Sequence, residues 1–89
     1  MNKKTYIYKP KITNHPGRTL RGKLDEIYMS IKTLSLITDI DYDTLENICN
    51  CNESITIEIA NELERVLKIP SNFWMNYQKG YDNFINKNQ

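Results

Sequence analysis

From residue 15 onward, the apolar residues of this 89-residue chain fall at helical intervals rather than alternating ones. Leu20, Leu24 and Ile27 are spaced three and four apart, with Arg18, Arg21, Lys23, Asp25 and Glu26 on the other faces. His15-Pro16-Gly17 precedes them, and proline suits a first helical turn, where its missing N–H has no partner to lose. Ser30 is placed to cap a second, short helix carrying Leu34 and Ile37, and Asp41 to cap a third carrying Leu45 and Ile48. The spacing predicts these helices over Ile31 to about Thr38 and Tyr42 to about Cys49, followed by a polar loop at 50–54. Thr56 can cap a fourth helix with Ile59, Ala60, Leu63 and Leu67 inward, where Glu58 and Lys68 suit the helix dipole. After Pro70-Ser71, a fifth helix carries Phe73, Trp74, Tyr77, Tyr81, Phe84 and Ile85, read as one apolar stripe. Gly80 inside it costs roughly 1 kcal/mol relative to alanine, and is read as a kink or a close helix approach. No segment carries a strand pattern in this region, so the expected class is all-α, with five helices.

Residues 1–14 have no helical period, and Pro10 interrupts the extended-favouring Tyr6, Ile7 and Tyr8. The expected organisation is a short basic N-terminal arm over 1–14 and one helical domain over 15–89. In the arm, Lys3, Lys4, Lys9 and Lys11 interleave with Tyr6 and Tyr8, a mixture that can hold phosphate and stack on bases, or dock on an acidic protein groove. A solvated, frayed terminus is the plainer reading.

A hydrophobic fraction of 39% fills one small core, which dimerisation would help to stabilise. The chain lacks an apolar run long enough for a membrane span or a secretory signal, so a cytoplasmic protein is expected. Cys49 and Cys51 stand too close for an unstrained disulfide, and a reducing compartment is the simpler context. Zinc would need two ligand pairs, and the single histidine, His15, lies far off, so no metal or other cofactor is implied. Helix capping or packing suits His15 better than general-base work, since no nucleophile is placed beside it. Trp74 reads as core rather than as a ligand cage. The sequence contains no catalytic constellation, and an enzyme is not expected.

Charge divides the chain. Residues 1–29 carry seven basic side chains and two acidic ones, whereas residues 30–69 carry three basic and eight acidic. A protein that coats DNA unselectively would not be built this way. The second and third helices, joined tightly at Asp39-Ile40-Asp41, fit a helix-turn-helix plan, and a plain helical bundle could use the same turn.

Three stretches add to this. His15-Pro16-Gly17 with Leu20, Leu24 and Ser30, then 55–60 with Leu63, then Phe73-Trp74-Met75-Asn76 with Gln78, Tyr81 and Asp82, together resemble the HigA-type antitoxins of the lambda-repressor-like (XRE) helix-turn-helix family. That resemblance covers residues 15 to about 82. It implies a five-helix lambda-repressor-like domain, usually dimeric, that binds an RNase toxin and represses its own promoter. Departures from the family pattern are Ser35 for an early alanine, Asp39 for a turn glycine, and Asn50-Cys51-Asn52-Glu53 for an Asn-Gly loop with basic residues. Aspartate tolerates positive φ better than most residues, so the turn survives.

The third helix is the sharpest departure, because Asp41, Asp43 and Glu46 stand there without a base. Phosphate attraction is built from Lys and Arg, although an acid can accept from a cytosine amine. If this helix meets double-stranded DNA, Tyr42, Thr44 and Asn47 are its base readers, with Asp43 beside them, and Lys32, Asn50 and Asn52 are its phosphate contacts. The alternative is a diverged scaffold that inhibits a partner protein and has lost DNA binding, its acids turned to a basic protein surface.

Overall fold

His15 opens the first helix with its ring: Nδ1 accepts the Gly17 backbone N–H at 2.9 Å, leaving Pro16 in the first turn. The computed structural model describes residues 15–87, and the arm with Lys3, Lys4, Tyr6, Tyr8, Lys9 and Lys11 lies outside the described residues. Within them the order is α1 (Pro16–Glu26), α2 (Ile31–Thr38), α3 (Tyr42–Cys49), α4 (Ile57–Leu67) and α5 (Ser71–Lys87). Five helices and no strand among the described residues match the expected class.

Two caps form as expected. Ser30 Oγ accepts from Thr33 N at 3.0 Å and Thr56 Oγ1 from Ile59 N at 3.3 Å. Asp41 does not follow: its side chain makes no capping bond, and only its backbone carbonyl engages α3, accepting from Leu45 N at 3.1 Å.

The first four helices each end in a left-handed residue, and none of these is glycine: Tyr28 (φ 57°), Asp39 (61°), Cys51 (65°) and Lys68 (62°). After α1, Tyr28 N–H bonds the Asp25 carbonyl at 3.2 Å and Met29 N–H the Leu24 carbonyl at 2.9 Å. After α3, Cys51 and Asn52 repeat the pattern onto Ile48 and Asn47 at 2.9 and 2.8 Å. Both are Schellman closures, which satisfy last-turn carbonyls that the helix itself leaves open.

The α2–α3 turn is tied by side chains. Thr38 Oγ1 donates to the Leu34 carbonyl at 2.7 Å and accepts from Ile40 N at 3.2 Å. Ser35, in place of the expected alanine, donates to the Ile40 carbonyl at 2.8 Å, so this departure closes the turn from inside.

One core gathers Leu20 and Leu24 of α1, Leu34 of α2, Leu45 and Ile48 of α3, Ile55 of the loop, Ile59, Ala60, Leu63 and Leu67 of α4, and Trp74 of α5. Trp74, Leu63, Leu45, Leu34 and Leu20 are all fully buried, as their helical spacing predicts. Ile27 and Ile37 are not: both turn outward at helix ends. α1 packs on α3 and α5, α2 on α3 and α4, and α4 on α5. Gly17 permits the first of these contacts, because a Cβ there would run into the Ile48 backbone carbonyl.

α5 differs from the single stripe expected. Its buried positions are Trp74 and Gln78, Phe73 is exposed, and Tyr77, Tyr81, Phe84 and Ile85 are half-buried. Gln78 takes the core position one turn after Trp74 because its amide has work there: Oε1 accepts from Ile55 N at 2.8 Å and Nε2 donates to Asp82 Oδ1 at 2.9 Å. Tyr81 packs its ring edge-on to His15, centroids 4.6 Å apart. Gly80 is exposed with open space around it, so it marks no close approach within this chain. No described helix is long and apolar enough to cross a membrane.

Candidate nucleic-acid interface

The geometry of α3 follows from which of its residues the core takes. Leu45, Ile48 and Cys49 face inward. At 3.6 residues per turn, that leaves Asp43, Asn47 and Asn50 along the middle of the outer face. All three are exposed. Tyr42 and Glu46 lie on the flank toward α1 and α2, and Thr44, half-buried, lies on the opposite flank.

Lys32 is exposed on α2 and shares a solvent-open depression of about 360 Å³ with Tyr42, Glu46, Arg21 and Asp25. A second depression sets Lys32 and Tyr42 beside Ser35 and the exposed Leu36. Lys32, Tyr42, Asp43, Asn47 and Asn50 therefore stand on one accessible surface around α3. Asn52 is exposed in the loop that follows, its backbone N–H closing the helix end.

The polar groups of this face are held in place from elsewhere in the chain. Asn47 Nδ2 donates to Glu53 Oε1 at 3.4 Å, and Asn50 Oδ1 accepts from Arg21 Nη2 at 3.5 Å. The negative charge of Glu46, one turn along, pushes the Tyr42 phenol pKa up, with burial and Asp43 adding to it. Tyr42 therefore stays a hydroxyl donor at neutral pH. Asp43 makes no hydrogen bond or ion pair among the described residues.

The pattern of the chain places Arg21 only on an outer face of the first helix, and the fold brings it against the α3 face. It lies 29 residues from Asn50, so no local spacing links the two. Arg21 lines both the Lys32 depression and another, with Arg18, Asp25, Cys49, Asn50 and Cys51. Burial raises the Cys49 thiol pKa, which keeps it protonated and consistent with a packing role. His15, away from this face, is buried against Tyr81, and burial lowers its pKa, with Asp82 opposing.

No protein-family model matches the chain. Among curated proteins, it is 34% identical over 59 residues to an uncharacterised HTH-type transcriptional regulator of Haemophilus influenzae, covering 66% of this chain. It spans 55% of that relative's length. Among solved structures, it is similar to an addiction module antidote protein of the HigA family from Coxiella burnetii, at 32% identity and TM-score 0.73, covering 76% of this chain and 75% of that one. It is also similar to the Pseudomonas aeruginosa antitoxin HigA, solved with the higBA promoter, at 29% identity and TM-score 0.77, covering 80% and 78%.

Proposed function

Because the chain belongs to the HigA family of helix-turn-helix antitoxins, we propose that it represses its own promoter through α3 and neutralises a partner toxin, an RNase in class. The observation that carries the DNA reading is the exposed outer face of α3, in a fold shared with a relative solved on promoter DNA. That relative also weighs against a scaffold that has abandoned DNA.

In this reading α3 enters the major groove, as the second helix of the motif does. Tyr42, Thr44 and Asn47 meet base edges, and Asp43 accepts from a cytosine amine. Lys32, Asn50 and Asn52 meet phosphates and fix the register. Asn47 is pre-oriented by Glu53, which lowers the ordering cost of its contact. The acids of the face weaken general attraction to DNA, so binding relies on contacts that only the right sequence completes. A homodimer would present two such helices to a two-fold operator, with Phe84 and Ile85 at the end of α5 as its seam. The arm, with Lys3, Lys4, Tyr6, Tyr8, Lys9 and Lys11, is the segment proposed to hold the toxin.

The test is a mobility shift on the duplex upstream of the chain's own reading frame. Wild type should bind it in preference to an unrelated duplex, and Tyr42→Ala with Asn47→Ala should abolish the preference. Equal binding to both duplexes by the wild type would overturn the repressor reading. Co-expression with the neighbouring reading frame tests the toxin arm, the expected result being restored growth.

A further inference from the structure

We propose that Arg21, on α1, is a DNA-backbone contact that supplies the recognition surface with the cation α3 lacks. The proposal rests on the repressor reading above. Asp43 and Glu46 within α3, and Asp41 just before it, set three carboxylates there with no base, yet the surface must approach a dense row of phosphates. Lys32 stands at the α2 side, near Tyr42. At the other end of α3, by Asn50 and Cys51, the cations in reach belong to α1.

Arg21 is placed for this by geometry. It is exposed, it lines the depressions at both ends of α3, and its field reaches Tyr42 at the start of the helix and Cys49 at the end. Its Nη2 donates to Asn50 Oδ1, a long bond at 3.5 Å that commits one of five guanidinium donors. Arg18, Asp25, Lys32 and Glu46 are the charged groups around these depressions. Asp25 and Glu46 are the acids, and neither forms an ion pair with Arg21. In the Arg65–Glu62 pair the fork is closed on a carboxylate at 2.6 Å. The Arg21 fork is open. A phosphate seated beside Asn50 would take two parallel N–H bonds from it, with the Asn50 amide N–H₂ left to donate as well.

The experiment measures affinity against salt concentration for the upstream duplex and for an unrelated one, using wild type, Arg21→Gln, Arg21→Ala and Arg21→Lys. Thermal melts of each variant check the fold. Loss of one phosphate contact should flatten the slope of log affinity against log salt by about 0.9 and weaken low-salt binding roughly tenfold, on both duplexes alike. Arg21→Lys should keep the slope while losing part of the affinity, since the charge remains and the fork does not. An unchanged slope in Arg21→Gln and Arg21→Ala would overturn the proposal, whether affinity holds or falls, because a role confined to positioning Asn50 leaves the ion count untouched. A wild type that binds neither duplex would instead defeat the repressor reading, and the proposal with it.

Discussion

The side-chain amide oxygen of Gln78 accepts the backbone N–H of Ile55 at 2.8 Å, joining α5 to the loop that leads into α4. Ile55 is fully buried, so its N–H has no access to water, and Gln78 is the group that satisfies it. Gln78→Leu keeps the volume and removes the acceptor. It should destabilise the domain by about 1–3 kcal/mol, the cost of a buried donor left unpaired. Thermal or denaturant unfolding of the variant reads it, and a change within error would show that the loop reaches water by another route.

The left-handed helix ends are places where the chain can be improved. An L-residue in that conformation costs about 1–2 kcal/mol, a cost glycine avoids while adding freedom to the unfolded state. Tyr28 is 96% exposed and packs against nothing that would offset it. Tyr28→Gly should therefore raise stability by roughly 0.5–1 kcal/mol, and Cys51→Gly should act in the same direction. A drop in melting temperature for Tyr28→Gly would mean that the ring makes a contact in solution.

His15 gives the fold a pH dependence of definite sign. Burial depresses its pKa below the usual 6.5, so the unfolded chain binds a proton that the folded one resists. Stability from this group is therefore whole above pH 6.5 and is lost as pH falls from there through the depressed folded value. His15→Asn retains a side chain able to accept from Gly17 N, but does not titrate. Melting temperatures measured from neutral to mildly acidic pH should fall less steeply in the variant, and parallel curves would exclude His15 as the source.

The acids of α3 should separate general from selective DNA binding. Asp43→Asn with Glu46→Gln removes repulsion that salt screens, so affinity for an unrelated duplex should rise several-fold at low salt and the gain should shrink as salt increases. Affinity for the upstream duplex should rise less, or fall, because Asp43 loses its proposed acceptor role toward cytosine. Equal gains on both duplexes would show that neither acid takes part in readout.

Most of the fold is legible in the chain because its determinants are local. Apolar spacing, the Ser30 and Thr56 caps and the tolerance of Asp39 for positive φ each act within a few residues. The parts that could not be read depend on partners distant in sequence. Gln78 looks like a polar interruption of the α5 stripe until Ile55, 23 residues earlier, is set beside it. Phe73 looks buried by pattern, yet Trp74 fills the core and turns its neighbour outward. Tyr42, Asp43, Asn47 and Asn50 could be set on one outer face and flank of α3 because helical spacing places them. The nearness of Arg21 to Asn50 could not be read, because 29 residues separate them. Asp41 shows the limit of capping rules: the right residue type stands at the right position, and its side chain makes no bond to the helix.

If α3 reads DNA as proposed, it is not a detachable part. Asn50 is steadied by Arg21 from α1 and Asn47 by Glu53 from the loop beyond. The stretch 42–50 grafted onto a related scaffold would arrive without either brace, and the Asn47 and Asn50 amides would be free to rotate. Transplanting the preference would mean moving a surface patch drawn from three separate stretches of the chain. By the same logic, and on the proposed reading, a substitution in α1 would loosen the grip on any duplex without touching the helix that does the choosing.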